Sequence, residues 1–339
     1  MALKTSARIA TGSIRSGVLE VFGSWGFLPL IVIAFFVFFG LYEERFWRLT
    51  NLINVLRNSS YLMIISAGQM LVLIIGGFDL SVGAVVALSS VCAAFAMIEL
   101  QVFFPGAAVL VIILGTAAAL AVGAAVGIAN GLTVALLRVS PFMVTLGTMS
   151  IATGIALHVT AGIPIYGMPE EFVREFGRRL RWFGLPVSIY VTGVLLFAIW
   201  WMMNWTRLGR YIYAIGSNQH AARVSGISTT RYIVTTYALC SVLAALTGVL
   251  LTARVGSGEA TLGASLMLES IAAAVIGGVS LRGGVGRVGL VALGALLLAL
   301  VTNGANLMQI DSKVQTIVIG VVLIATVGID NLKLGGRRK

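Results

Sequence analysis

Ile75-Gly76-Gly77-Phe78-Asp79-Leu80-Ser81-Val82-Gly83 joins two apolar runs, residues 59–75 and 80–98. Glycine tolerates the left-handed conformation that ends a helix, and a short polar side chain can accept the free N–H groups that open the next one. The stretch therefore reads as a sharp helix-to-helix turn in which the glycine pair stops the first helix and Asp79 caps the second. Ile276-Gly277-Gly278-Val279-Ser280-Leu281-Arg282-Gly283-Gly284 repeats the pattern, with Ser280 in the place of Asp79. Two readings stand side by side: a capped turn at the cytoplasmic surface, or a broken helix at membrane depth whose end faces a path through the protein.

Outward from these turns the chain is apolar almost throughout. Of 339 residues 59% are hydrophobic and 10% are charged, and the mean hydropathy is +1.02. A soluble domain carries roughly 25% charged residues. A helix needs about 20 mainly apolar residues to cross the ~30 Å hydrocarbon core. Runs of that kind centre on residues 25–41, 59–75, 80–98, 106–130, 141–161, 186–205, 232–253, 266–278, 288–307 and 314–329. The expected fold is an all-α integral membrane protein with about ten transmembrane helices.

Charge sets the orientation, because Lys and Arg collect on the cytoplasmic side. With the N-terminus inside, the inner segments hold Lys4, Arg8, Arg15, Arg138, Arg207, Arg210, Arg223, Arg231, Arg282, Arg287, Lys333, Arg337, Arg338 and Lys339, which is 14 of the 23 basic residues. Most acids fall outside: Glu43, Glu44, Glu99, Glu170, Glu171, Glu175, Glu259 and Asp311. This asymmetry places both termini in the cytoplasm and favours an even number of spans. It also accounts for a pI near 10.3 without nucleic acid, since the basic residues are dispersed between spans and face an anionic lipid leaflet instead of forming one stripe.

Lys4, Arg8 and Arg15 precede the first apolar run, but that run ends in Tyr42-Glu43-Glu44-Arg45 with no small-residue cleavage pattern, so it reads as an uncleaved span. Cys92 and Cys240 sit in apolar helical stretches and His158 and His220 in dissimilar segments, so neither a disulfide framework nor a metal site is expected.

Three features bear on function. The loop 205–231 carries Ser217 or Asn218 as an N-cap, Gln219 to Val224 as helical turns and Gly226 where a helix would stop. So short a helix must lean on the bundle or on another protein. Gln69, Asp79, Asn130, Thr145, Thr148, Ser150, Asn303 and Asn306 place donors and acceptors inside apolar spans, where they either line a path for a hydroxylated solute or bridge helices. The outer loop 162–185 holds Glu170, Glu171, Arg174, Glu175, Arg178, Arg179 and Arg181, with Glu170/Arg174 and Glu175/Arg179 in the acid-before-base order that supports a helix.

The 205–231 loop resembles the signature of membrane permeases of bacterial ATP-binding-cassette importers for ribose and related monosaccharides. Similar to the same family, and in its order, are the Gly76 to Gly83 turn, Asn130-Gly131, Pro141-Phe142-Met143-Val144-Thr145-Leu146-Gly147, Pro164-Ile165-Tyr166-Gly167, the Gly277 to Gly286 stretch and Asn303-Gly304. The resemblance spans residues 46–333. Phe78 stands where the family often has Ile, and Ser217-Asn218-Gln219-His220 replaces a version richer in glycine and acids, which points to a particular ATPase partner.

The resemblance implies a single transmembrane permease domain over 1–339, with a cytoplasmic segment 1–24, a coupling loop 205–231 and a basic tail 330–339. It further implies a bacterial inner-membrane dimer of two permease subunits, fed by a periplasmic or extracellular sugar-binding protein and driven by a cytoplasmic ATP-binding subunit. Ser217, Asn218, Ala221, Ala222, Arg223 and Gly226 are then the contacts to that subunit, while Gln69, Asp79, Asn130, Thr145, Thr148, Asn303 and Asn306 are the candidates to line the path, with bridging between helices as the alternative. The chain itself needs no cofactor: none of Lys4, Lys313, Lys333 and Lys339 follows a glycine, so it has no phosphate-cradling loop and ATP is spent by the partner. The competing class is an ATP-independent secondary transporter or channel, disfavoured because only Asp79 and Glu269 bring ionisable groups near the spans. An enzyme would need a constellation of reactive groups, and none occurs.

Overall fold

The computed structural model describes residues 27–311, 313–315, 317, 320 and 321. The segments 1–24 and 330–339, and most of the expected last span 314–329, lie outside the described residues. The described elements are helical: α1 (Leu28–Tyr42), α2 (Leu49–Ile74), α3 (Val82–Phe103), α4 (Ala108–Leu137), α5 (Pro141–Thr160), α6 (Val187–Trp205), α7 (Arg207–Ser217), α8 (Gln219–Val224), α9 (Thr229–Val255), α10 (Leu266–Ile276) and α11 (Val288–Leu307), with short helical turns after α1 and between α5 and α6. Six of these, α3, α4, α5, α6, α9 and α11, are long and apolar enough to cross a membrane by length and composition. α2 has 26 residues but dilutes its apolar run with Arg57, Asn58 and Gln69.

α2, α3 and α9 form the buried centre, where residues such as Ile65, Val72, Val85, Cys240 and Ala244 are fully enclosed. Small residues bring the helices together. A side chain at Gly127 of α4 would strike the Tyr237 carbonyl and Ala238 Cα of α9, and Gly123 and Gly131 repeat that contact one turn to either side. This is the close backbone approach that membrane helices use where the hydrophobic effect gives no net drive. α5 is by contrast mostly exposed, with Thr145, Ala152, Ala156 and Thr160 as its buried residues.

The expected span 266–278 is corrected by the structure. α10 has only 11 residues, a length of about 16 Å and therefore about half the hydrocarbon thickness. The missing half is non-helical chain. Gly258 pairs with Ile165 through two backbone hydrogen bonds of 2.9 Å and lies against Ala94 of α3, whereas Gly263 lies against Gly83 and Val86 of the same helix. Between those two points the segment descends about 16 Å along α3, taking 1.5 Å of rise for each residue from Ala94 to Gly83. Irregular backbone at such depth must be buried in protein or line a cavity, and this segment does both: Ser257 and Gly258 are buried, while Ala260, Thr261, Leu262 and Ala264 border a cavity of about 200 Å³ against α3 and α5.

Candidate functional site

Both Ile-Gly-Gly turns come to the same end of the bundle, and the Gly284 N–H donates to the Ile74 carbonyl at 2.8 Å to join them. Arg138, Arg207, Arg210, Arg223, Arg231, Arg282 and Arg287 belong to the segments at this end. α7 lies across it. Its N-cap Thr206 accepts from Gly209 N–H at 3.4 Å, and its buried face presents Gly209, Ile212 and Ile215. A side chain at Gly216 would overlap the Ile74 carbonyl and crowd Gly284 N, so this glycine seats α7 on both turns. Tyr213 adds a hydrogen bond from its hydroxyl to the Gly286 carbonyl at 2.7 Å.

α8 comes next and matches the sequence pattern. Asn218 Oδ1 accepts from Ala221 N–H at 2.9 Å, the helix covers Gln219–Val224, and Gly226 turns the chain at φ +82°. Ser217 spends its hydroxyl on the Tyr213 carbonyl at 2.9 Å and does not cap. Ala222 is buried under the helix, while Asn218, Ala221, Arg223 and Gly226 are exposed. Gln219 and Arg223 border a cavity of about 380 Å³ together with Gly76, Gly77, Arg138, Pro141 and Tyr237. The helix thus stands directly over the first turn.

From that turn a polar network runs into the bundle. Asp79 is fully buried. Its Oδ1 accepts the N–H of Ser81 at 2.9 Å and the Ser81 hydroxyl at 2.5 Å. Asn130 of α4 donates to Ser81 Oγ at 3.0 Å, and Thr148 of α5 donates to Asn130 Oδ1 at 2.6 Å. The Phe78 carbonyl accepts from Tyr237 of α9 at 3.2 Å and from Thr145 of α5 at 3.4 Å. Four of the polar residues picked from the sequence, Asp79, Asn130, Thr145 and Thr148, are therefore gathered around one turn. They are joined by Ser81 and Tyr237, which carry no signal of their own in the sequence.

The expected cap is corrected here. Asp79 does not cap α3: Ser81 occupies the N-cap position without a side-chain capping bond, and Asp79 closes a local turn two residues long. Ser280 behaves likewise, accepting from Arg282 N–H at 3.2 Å, while Arg287 precedes α11. The other selected residues lie elsewhere. Gln69 is enclosed within α2 with no hydrogen-bond partner for either amide atom among the described residues. At the opposite end of the bundle Asn303 exchanges two hydrogen bonds with Asn51, at 2.9 and 3.2 Å, and Asn306 accepts from Gln315 at 2.8 Å. Ser150 returns its hydroxyl to the Leu146 carbonyl at 3.2 Å. In the loop before α6, Glu175 gathers Arg174, Arg179 and Arg181. The hydrogen bond from Arg179 leads in holding its carboxyl below the usual carboxylate range.

α7 escapes a reading of the sequence although its signals are present: Thr206 as N-cap, and Leu208, Ile212 and Ile215 at helical spacing. The helix is amphipathic and short, so hydropathy suited to spans passes over it.

The described residues thus form a helical bundle with six helices long and apolar enough to cross a membrane, a docked amphipathic helix and a capped, exposed one at its basic end. Residues 51–327 match the family described as the permease component of branched-chain amino acid transport systems, and the chain belongs to that family. It is 39% identical over 298 residues, 86% of this chain and 88% of the relative, to the ribose import permease protein of Escherichia coli (strain K12). To the D-allose transport system permease protein of the same organism it is 34% identical over 306 residues, 90% of each chain. To the galactose/methyl galactoside import permease protein, also of that organism, it is 36% identical over 318 residues, 91% of this chain and 94% of the relative. No solved structure matches. The chain is a transport component and not an enzyme.

Proposed function

We propose that this permease is the membrane subunit of an ATP-driven importer, forming the path for a monosaccharide or sugar-like polyol that a periplasmic or extracellular binding protein delivers. Two copies pair in a bacterial inner membrane, each with about ten spans and both termini in the cytoplasm. A separate ATP-binding subunit hydrolyses the nucleotide, so the chain carries no cofactor. The relatives named for ribose, allose and galactose support the substrate class.

The observation that carries the reading is the position of α8. A six-residue helix has little stability of its own; it is held over the first Ile-Gly-Gly turn with Asn218, Ala221, Arg223 and Gly226 open to a partner. The ATP-binding subunit grips those residues, and its closure pushes α8 on the turn. Asp79, Asn130, Thr145 and Thr148 pass the displacement to α4 and α5. Gln69, Asn303 and Asn306 belong to the polar lining of the path. The test is purification of the tagged chain in mild detergent: an ATP-binding subunit comes with it, and the complex imports sugar into liposomes only with ATP and binding protein. Nucleotide-independent transport by the chain alone would overturn the proposal.

A further inference from the structure

At the opposite end from α8, a chamber of about 210 Å³ opens among α2, α9, α10 and α11. Its polar lining is Asn58 and Tyr61 of α2, Glu269 of α10, and Thr302, Asn303 and Asn306 of α11. We infer that this chamber binds one uncharged polyhydroxylated ring, with Glu269 as its principal hydroxyl acceptor. The inference rests on the importer reading and deepens it by placing a solute site inside the permease itself.

Size limits the occupant. A chamber of about 210 Å³ falls below the ~300–1,000 Å³ of sites for drug-sized ligands, which suits a single ring. Chemistry then selects among small rings. Glu269 lies one turn into α10, which begins only after the non-helical segment has descended into the bundle, so its carboxylate stands where it needs a partner or water. Ser265, one turn before it, acts on its carboxyl, and among the described residues no ion pair includes it. A carboxylate offers about four acceptor sites, which leaves it room for the hydroxyls of a ligand.

The remaining lining is neutral and two-sided. Asn306 lies one turn beyond Thr302 and Asn303 on α11, and the three, all bordering the chamber, offer donors as well as acceptors. A simple cation would use the carboxylate and the amide oxygens but leave the amide N–H groups without an acceptor. Sugar hydroxyls both donate and accept, so vicinal pairs can give protons to Glu269 and receive hydrogen bonds from the amides. Tyr61 of α2 also borders the chamber. The amides are also held in place: Asn303 is fixed by its exchange with Asn51 and Asn306 by Gln315, so little ordering remains to be done on binding.

The test uses the complete importer in proteoliposomes, with Asn58→Cys as reporter. Asn58 is exposed, whereas native Cys240 is buried and Cys92 half-buried, so a membrane-impermeant maleimide reads the introduced thiol. D-ribose, D-allose and D-galactose are the probes, with choline as a cationic control. At least one sugar slows labelling and choline does not. Adding Glu269→Gln weakens that protection about tenfold, the effect of losing a hydrogen bond to a charged acceptor. Should Glu269→Gln fail to assemble, Thr302→Val removes a lining hydroxyl at nearly constant volume and gives the same reading. Protection by choline, equal protection in the substituted importer, or no protection by any sugar would each overturn the chamber. Loss of binding-protein stimulation in the wild-type complex would instead bring down the importer reading beneath it.

Discussion

The two Ile-Gly-Gly turns share their lettering but not their register. In the first, Gly76 takes the left-handed conformation at φ +79°, and Gly77 N–H closes the helix end on the Val72 carbonyl at 2.9 Å. In the second, Gly278 takes that role at φ +76°, and Val279 N–H closes on the Ala274 carbonyl at 3.0 Å. The same helix-ending motif is thus moved by one residue, and the spare glycine serves packing. Gly77 makes room for the Tyr237 hydroxyl, and Gly277 for the backbone of α11 at Leu290 and Val291. The residues after the glycines separate the turns further: Asp79 is enclosed and linked through Ser81 to α4 and α5, whereas Ser280 stays local to a loop that packs on α7. One turn reaches into the bundle and the other anchors the helix that lies over it.

Thermal unfolding of the purified permease can break this contrast. Asp79→Ala has the largest expected effect, about 1–3 kcal/mol for a buried group left unpaired, here the Ser81 N–H, while the Ser81 hydroxyl keeps its hydrogen bond from Asn130. Ser280→Ala stays within about 0.5 kcal/mol; equal losses at the two positions would erase the distinction. Gly216→Ala, which drives a methyl into the Ile74 carbonyl, costs about 1–3 kcal/mol through overpacking and releases α7 from both turns, read as faster proteolysis of 207–226. Gly76→Ala and Gly278→Ala each cost about 1–2 kcal/mol for the left-handed backbone. Gly77→Ala is distinguished from them because Tyr237→Phe relieves part of its clash, a rescue that Gly76→Ala does not share.

The smallest effect lies outside the turns, in the ion pairs of the loop before α6. Glu175 is held below the ordinary carboxylate value, led by Arg179, so its contribution is present above that value and fades as pH falls through the depressed one. Glu175→Gln should therefore matter near neutral pH and cease to matter in strong acid, as read by the pH dependence of loop proteolysis.

Much of the site is legible in the sequence because polar residues in apolar spans have few possible partners. Asp79, Asn130, Thr145 and Thr148 stand out as the minority in their helices, and the structure joins them. Asn218 and Gly226 announce the ends of α8 by side-chain chemistry alone. The one-residue offset between the turns is not legible, since two adjacent glycines tolerate the same backbone and only the packing of Tyr237 and α11 decides which one bends. Nor is the descent of 257–265, because hydropathy counts Ala260 and Leu262 as apolar whatever path the backbone takes. Asp79 reads wrongly as a cap for a related reason: the choice between closing its own turn and reaching the next helix is made by its neighbours.

The role of α8 is tested most directly by ATP hydrolysis in the assembled importer, stimulated by binding protein and sugar, with wild-type permease against Arg223→Glu and Gly226→Val. Both substitutions should abolish the stimulation while the permease remains folded and membrane-inserted. Unchanged stimulation in both would contradict the assignment of α8 as the link between the ATP-binding subunit and the first turn.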